Sequence, residues 1–261
     1  MNLAVCGDSW FSTDRRHTGR SFGEILANDH DWTLTSLARP GISNFGIVLQ
    51  VDRAIELDSD VIIVNTTTVS RTEIPIEHKK EQSVKTSVYQ HEEFVAYKKD
   101  LGIDNIDHSD FPEHLLADQA HSNTLLSNQI QSLIFSNDEN KKITAEQKLA
   151  LKHFVSHLLD CGHKRQIDTW IISDMCRRLI AHGRPWLLFT QSLLNAGFAP
   201  PAFFEYAKDL AWIDQKHLVT PHQFSYYRDM QVTDDARFHY CHKTGGTILA
   251  NFAYERLKEQ L

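Results

Sequence analysis

Over the first 70 residues, short apolar runs alternate with segments of helical periodicity. The apolar runs are typical of strands and lie at residues 2 to 6, 34 to 37 and 60 to 64. Between them, residues 22 to 28 carry an amphipathic helical pattern, and Ser43 or Asn44 can cap a second helix. Strands that alternate with helices in this way predict βαβ units, whose parallel strands are covered by helices on both faces. We therefore expect an α/β chain folded as a three-layer α/β/α sandwich with a central parallel sheet.

A long segment from about residue 72 to residue 143 interrupts this pattern. It is rich in charged residues, Ser, Asn and His, and its apolar clusters are short. Long loops inside a compact domain are usually functional lids or mobile segments. We interpret it as an insertion, part helix and part loop, within a single domain that spans residues 1 to 261.

Helical periodicity returns at Thr144, where a capping box opens a helix that we expect to run to about residue 160, with Gly162 just beyond its end. Further elements are expected as a helix at 168 to 181, a strand at 185 to 190 and a closing helix at 244 to 261.

Charge and apolar content argue against several classes of protein. The chain has 27 Lys and Arg against 34 Asp and Glu, and the basic residues are scattered, so no nucleic-acid partner is expected. No apolar run approaches the ~20 residues that a membrane-spanning helix needs.

The start of the chain lacks the features of a signal peptide, and the four cysteines are widely separated, which favours a reducing compartment. We expect a cytoplasmic protein, or one that otherwise carries no cleaved signal peptide, as on a virus particle; its oligomeric state is not indicated.

A candidate nucleophile lies where the first strand ends, in Gly7-Asp8-Ser9-Trp10. Ligands of open α/β sheets bind at the carboxyl ends of the strands. A serine at that edge can attack a substrate if a base accepts its proton, and its own N–H can help to stabilise an oxyanion. The same tripeptide is also an ordinary turn sequence, so it needs a partner elsewhere in the chain.

The candidate partners lie just before the last helix, in the segment 234 to 242. There Asp235 precedes His239, and a carboxylate close to an imidazole can orient it and stabilise its protonated form. His242 is an alternative base.

Two groups of His and Cys residues have spacings that would allow them to ligate a metal. His153, His157 and Cys161 recur every four residues along one helical stripe, and His239, Cys241 and His242 are close in sequence. The first group is better explained as ordinary surface residues than as metal ligands. In a chain with 15 histidines, such spacings also arise by chance. We expect neither a metal nor another cofactor.

Taken together, the two ends of the chain resemble the SGNH/GDSL hydrolase family. The resemblance covers about residues 1 to 71 and 165 to 261. That family has Gly-Asp-Ser at the first strand, a glycine after the second, an asparagine after the third, and an Asp and a His before the C-terminal helix. Here Gly7-Asp8-Ser9 matches the first block, and Gly41 falls in the second, where it would supply an oxyanion-hole N–H.

The sequence departs from the family pattern in the other two blocks. The usual Gly-x-Asn-Asp is replaced by Val64-Asn65-Thr66-Thr67-Thr68, so Asn65 is the candidate oxyanion donor, with Thr67 or Thr68 as alternatives. Three residues separate Asp235 from His239, where the family usually keeps two.

The resemblance implies an esterase or deacylase that acts on a small-molecule or glycan ester, carbohydrate O-acetyl groups among them. It implies Ser9 as nucleophile, His239 as base and Asp235 as the residue that orients it, with the N–H groups of Ser9 and Gly41 binding the oxyanion. The departures from the pattern leave a second hypothesis open, a catalytically weak binding or structural module that could belong to a virus particle.

Overall fold

The computed structural model describes residues 1–8, 10–13, 18–39, 42–67, 71–74, 123–126, 145–154, 157, 161–190, 206, 208–224, 229 and 243–261. The helices within these ranges are α1 (Phe22–Asp29), α2 (Asn44–Glu56), α3 (Ala145–His153), α4 (Cys161–His182) and α5 (Lys243–Leu257). The strands are β1 (Asn2–Cys6), β2 (Thr33–Ser36), β3 (Val61–Asn65), β4 (Arg71–Ile74), β5 (Asn123–Leu126), β6 (Trp186–Phe189) and β7 (Leu218–Val219).

Five of these strands form one sheet in the order β2-β1-β3-β6-β7, and all four pairings are parallel. Numbered along the chain within the sheet, the order is 2-1-3-4-5, which is the flavodoxin-like doubly wound arrangement. The predicted α/β fold with a central parallel sheet is confirmed.

Helices cover both faces of this sheet. On one face, Leu3, Val5, Ile63 and Phe189 join a buried cluster with residues of α1 and α5, which pack against each other. On the other face, α2 contacts β1 and β3, and α4 packs against α2. The residues of β3 are buried without exception, because a strand covered on both sides has no solvent-facing positions. Three layers result, as expected.

Side-chain caps fix where the first two helices begin. Ser21 and Glu24 form a reciprocal capping box at the start of α1, in which each side chain accepts a backbone N–H of the other residue. The Ser43 hydroxyl accepts the Gly46 N–H at the start of α2. Since both helices follow strands of the parallel sheet, both caps lie towards the carboxyl edge of that sheet.

Most of the expected elements occur within a residue or two of their predicted bounds, but α3 ends at His153 instead of about residue 160, α5 ends at Leu257 instead of residue 261, and α4 also differs. It begins at Cys161, seven residues earlier than expected, and Gly162 lies in its first turn instead of ending the preceding helix. A salt bridge between Lys164 and Asp168 and a hydrogen bond from Thr169 Oγ1 to the Arg165 carbonyl (2.9 Å) support this additional length.

The chain divides into two compact units, one made of Met1–Thr72 and Leu126–Leu261 and the other of Glu73–Leu125. β4 and β5 pair as a two-stranded sheet, which the sequence patterns did not predict. Most of the expected insertion at residues 72 to 143 lies outside the described residues, so the single-domain interpretation stays a prediction. Among the described residues, no helix combines the length and the apolar content needed to span a membrane.

Candidate active site at the carboxyl edge of the sheet

The order of the strands creates a crevice between β1 and β3. The chain leaves β1 through α1 to reach β2 on one side, then passes through α2 on the opposite face to reach β3 on the other side. Such a switch point is where open α/β sheets bind ligands, outside the carboxyl ends of their strands. Asp8 follows β1 and Thr66 and Thr67 follow β3, so these polar residues meet at the crevice.

Gly7 ends β1 in a conformation that requires glycine. Its φ is +149°, and a Cβ at this position would overlap Asn65 Oδ1 and lie 2.9 Å from Asn65 Cγ. The Gly7 N–H donates to Gln50 Oε1 on α2 (2.6 Å), and the Gly7 carbonyl accepts the Arg39 N–H (2.9 Å). The strand end is therefore fixed from two sides.

Asp8 organises the turn that follows. Its carbonyl accepts the N–H groups of Phe11 (3.1 Å) and Ser12 (3.2 Å), and its carboxylate Oδ1 accepts the Trp10 N–H (3.0 Å). The carboxylate is fully buried and also accepts Thr67 Oγ1–H at Oδ2 (2.9 Å) and Asn65 Nδ2–H at Oδ1 (3.2 Å). A buried carboxylate is stable only when donors surround it, and this one has donors from both its own turn and β3.

The side chain of Asn65 links the ends of the two neighbouring strands. Its Oδ1 accepts the Asp8 N–H (3.2 Å), and its two amide hydrogens are directed at Asp8 Oδ1 and at the Thr66 carbonyl (3.0 Å). An amide nitrogen has two hydrogens, so both are engaged within the protein.

A second buried polar cluster adjoins the first. Asn44, the first residue of α2, accepts the Thr67 N–H at Oδ1 (2.8 Å) and has Nδ2 within hydrogen-bond distance of the Thr67 carbonyl, Asp168 Oδ2 and Tyr206 Oη. Tyr206 donates to Asp168 Oδ2 (3.2 Å), and Lys164 forms a salt bridge with Asp168. Burial raises the pKa of Tyr206, and the negative charge of Asp168 raises it further, so the phenol remains protonated.

The start of α5 lies near the start of α1. A Cβ at Gly246 would overlap the Arg20 carbonyl and lie 3.4 Å from the Phe22 nitrogen. Because α1 begins towards the carboxyl edge of the sheet, the beginning of α5 lies near that edge too. The chain therefore enters α5 from the side on which Asp8 lies.

Most of the site residues expected from the sequence lie outside the described residues: Ser9, Gly41, Asp235, His239 and the alternative base His242. Their neighbours Asp8, Trp10, Arg39, Ile42 and Lys243 are described. Asn65 is described and lies at the expected edge, and its assignment to an oxyanion hole stays a prediction.

Sequence reasoning missed Asn44, Asp168 and Tyr206 as members of this site. The sequence indicates Asn44 only as a possible helix cap, and in the structure Ser43 has that role. Asp168 offered one weak signal, its spacing of four residues from Lys164, which allows an ion pair on one face of a helix. Tyr206 offered another weak signal, since it belongs to an aromatic stretch that could form a sugar-stacking or acyl-binding wall, although such residues are more often core.

Within the described part of the chain, no group of three or more His, Cys, Asp or Glu side chains is arranged to hold a metal ion. The His153 and His157 rings stack at 5.7 Å between centroids, and both residues are exposed. The expectation that the protein needs no metal stays a prediction.

No protein-family model matches this sequence, and no curated protein matches it. Among solved structures, the chain is similar to the psychrotrophic esterase EstA from Pseudoalteromonas sp., with 9% identity, 99% of this chain and 97% of that chain covered, and a TM-score of 0.48. It is also similar to TesA, with 10% identity, both chains covered completely and a TM-score of 0.48. A GDSL-like lipase from Bacteroides thetaiotaomicron matches with 10% identity over 100% of this chain and 89% of that chain, at a TM-score of 0.42. At these identities and scores, nothing about activity is carried over from those proteins to this one.

Proposed function

We propose that the protein is a serine hydrolase that cleaves a carboxylic ester, with Ser9 as nucleophile and His239 as general base. One observation carries the proposal: Asp8 and Trp10, the residues on either side of Ser9 in the chain, are joined by a hydrogen bond from the Trp10 N–H to a buried carboxylate at the switch point of the sheet. A reactive hydroxyl gains most from such fixation, because catalysis depends on holding the attacking atom in a defined geometry.

The geometry at the start of α5 also supports the segment before it as the source of the proposed base. Residues 234 to 242 immediately precede α5, whose first turn packs against the start of α1 near the carboxyl edge. The start of α5 therefore lies towards the carboxyl edge of the sheet, which supports His239 and Asp235 as the partners of Ser9.

The proposed oxyanion hole uses the N–H groups of Ser9 and Gly41. Support for Gly41 comes from its neighbours, because the Arg39 N–H binds the Gly7 carbonyl and Asn44 binds Thr67. Arg39 is thus held beside the end of β1 and Asn44 beside the end of β3, so both lie at the carboxyl edge of the sheet. Asn65 would join as a third donor only by releasing one of its present acceptors.

The proposed reaction proceeds in two steps. Ser9 Oγ attacks the ester carbonyl while His239 accepts its proton, and the oxyanion is stabilised by the backbone N–H groups. Collapse of the tetrahedral intermediate breaks the bond to the alcohol oxygen, which leaves with the proton from His239. Water then attacks the acyl-serine with His239 again as base, releasing the carboxylic acid and restoring Ser9. Asp235 orients the imidazole throughout.

The substrate class that we propose is small-molecule or glycan esters, with carbohydrate O-acetyl groups included. Its support is the family resemblance of the sequence. We also propose, because the four cysteines are widely separated in sequence, that the protein acts in a reducing compartment such as the cytoplasm.

The test compares hydrolysis of p-nitrophenyl acetate by the wild type and by Ser9→Ala. We expect the substitution to lower kcat by about 1,000-fold or more, since loss of a nucleophile leaves only binding and the oxyanion hole. Ser59→Ala is the matched control, because Ser59 is buried but precedes β3 at the opposite edge of the sheet. His239→Ala and His242→Ala, compared side by side, distinguish the two candidate bases.

Turnover that survives Ser9→Ala would contradict this mechanism. A second candidate function, a catalytically weak binding or structural module, is favoured by the engagement of both Asn65 amide hydrogens. Absence of wild-type turnover over a panel of esters, O-acetylated glycans among them, would select that alternative.

A further inference from the structure

A hydrogen bond between Asp8 and Trp10 spans residue 9. Asp8 Oδ1 accepts the Trp10 N–H at 3.0 Å, and the Asp8 carbonyl accepts from Phe11 and Ser12. The main chain on either side of residue 9 is thus tied back to Asp8. The path of the main chain after residue 9 consequently depends on how the Asp8 carboxylate is oriented.

Thr67 is one of the groups that set this orientation. Its hydroxyl donates to Asp8 Oδ2 at 2.9 Å, on the oxygen that the Trp10 N–H does not use. Both side chains are fully buried, so solvent has no direct access to replace the bond. Hydrogen bonds to buried charges are among the strong ones, because the low dielectric around them strengthens the interaction.

Thr67 is itself held by Asn44, which in turn binds the Asp168 carboxylate on α4. The Asn44 amide bonds both backbone groups of Thr67, with its Oδ1 2.8 Å from the nitrogen and its Nδ2 3.1 Å from the carbonyl oxygen. Asp168 Oδ2 lies 2.9 Å from the same Nδ2 and so fixes which way the amide faces. The salt bridge to Lys164 and the Tyr206 hydroxyl hold Asp168 in turn.

We infer that Thr67 and Asp168 are positioning residues for the serine at position 9: Thr67 orients the Asp8 carboxylate, and Asp168 holds Thr67 through Asn44. This inference rests on the proposed function. It extends that function, because two buried residues outside the proposed triad would then influence the rate at which the nucleophile attacks.

The experiment compares wild type, Thr67→Val and Thr67→Ser, with Thr190→Val as the matched control. Valine has the shape of threonine without the hydroxyl, and serine keeps the hydroxyl. Thr190 is also fully buried at the carboxyl edge and donates its hydroxyl to the Val219 carbonyl (3.2 Å), with no bond to Asp8 among the described residues.

Two readouts are measured on each folded protein. Amide hydrogen exchange of Trp10, Phe11 and Ser12 reports the turn whether or not the protein is an enzyme. The rate of labelling by a fluorophosphonate, with the modified residue located by mass spectrometry, reports nucleophilic attack by Ser9.

We expect Thr67→Val to accelerate exchange at these three amides and to slow labelling by about 10- to 100-fold, since a displacement of ~1 Å can cost about 100-fold in rate. Thr67→Ser should restore both readouts, and Thr190→Val should change neither. Asp168→Asn, which removes the charge that pairs with Lys164, should act in the same direction as Thr67→Val. Should Thr67→Val fail to fold, Tyr206→Phe, which removes the bonds of the phenol to Asp168 and Asn44 but leaves the Thr67 hydroxyl in place, should produce a smaller change in both readouts.

Unchanged exchange and labelling in Thr67→Val, or equal losses in Thr190→Val, would overturn the inference. A wild type that the fluorophosphonate does not label at Ser9 would instead overturn the proposed function, and with it any role in catalysis. In that case accelerated exchange in Thr67→Val would still show that Thr67 orders the turn, so the two failures are distinguishable.

Discussion

Substitution of Gly7 by alanine tests the geometry of the candidate site most directly. A Cβ there would overlap Asn65 Oδ1, which accepts the Asp8 N–H, and would lie 3.3 Å from Phe11 Cβ. The φ of +149° disfavours alanine as well. Gly7→Ala therefore combines backbone strain with displacement of the Asn65 amide.

The expected loss of stability has two parts. A non-glycine residue in a sparsely populated backbone region costs about 1–3 kcal/mol. Displacing Asn65 leaves buried polar groups of Asp8 without this partner, which costs about 1–3 kcal/mol more. We expect Gly7→Ala to lower the free energy of unfolding by about 2–6 kcal/mol in total.

Gly183→Ala is the matched control for the backbone part. Gly183 follows the end of α4 at φ +74°, and a Cβ there would meet nothing within 4 Å. Its cost should be about 1–2 kcal/mol, the usual penalty for a left-handed residue with a Cβ. The difference between the two variants then contains the displacement of Asn65 and any additional backbone strain at φ +149°.

Urea unfolding followed by circular dichroism gives the free energies for each variant. A double-mutant cycle with Asn65→Ala adds a second check, because removal of the amide should leave Gly7→Ala with its backbone cost alone. The reasoning is refuted if Gly7→Ala costs no more than Gly183→Ala, or if its cost is the same with and without the Asn65 amide.

Three further predictions concern titratable groups. Burial lowers the pKa of His217 from its ordinary 6.5. As the pH decreases below about 6.5, the unfolded state binds a proton before the folded state does, so the stability should fall. His217→Gln should remove this part of the pH dependence of the urea midpoint. Burial and the charge of Asp168 raise the pKa of Tyr206. As the pH rises above about 10, the unfolded state loses its proton before the folded state does, so the stability should fall, and it should fall less steeply in Tyr206→Phe. Equal slopes of stability against pH in the wild type and in Tyr206→Phe would argue against a buried phenol. Burial raises the pKa of the Cys176 thiol to about 12, so a disulfide reagent should modify Cys176 only after unfolding, and rapid reaction with the folded protein would contradict its burial.

The fold could be predicted well because its signals are local. The apolar run before Gly7 and the run that ends near Asn65 each indicated a strand, and the observed β1 and β3 match them. β7 escaped prediction because Leu218–Val219 is too short to show any periodicity. Asn123–Leu126 pairs with β4 although it lies in a segment with weak apolar patterning.

The sequence by itself determined the alternation of strands and helices, the parallel sheet and the glycine turn at the end of β1, because each depends on residues close together in the chain. Only the tertiary structure decided which polar groups meet at the carboxyl edge. Asp8 binds Thr67 across 59 positions of sequence, and Asn44 binds Asp168 across 124. Such partners are selected by strand register and by the faces on which α2 and α4 pack, and neither leaves a periodic trace in the sequence.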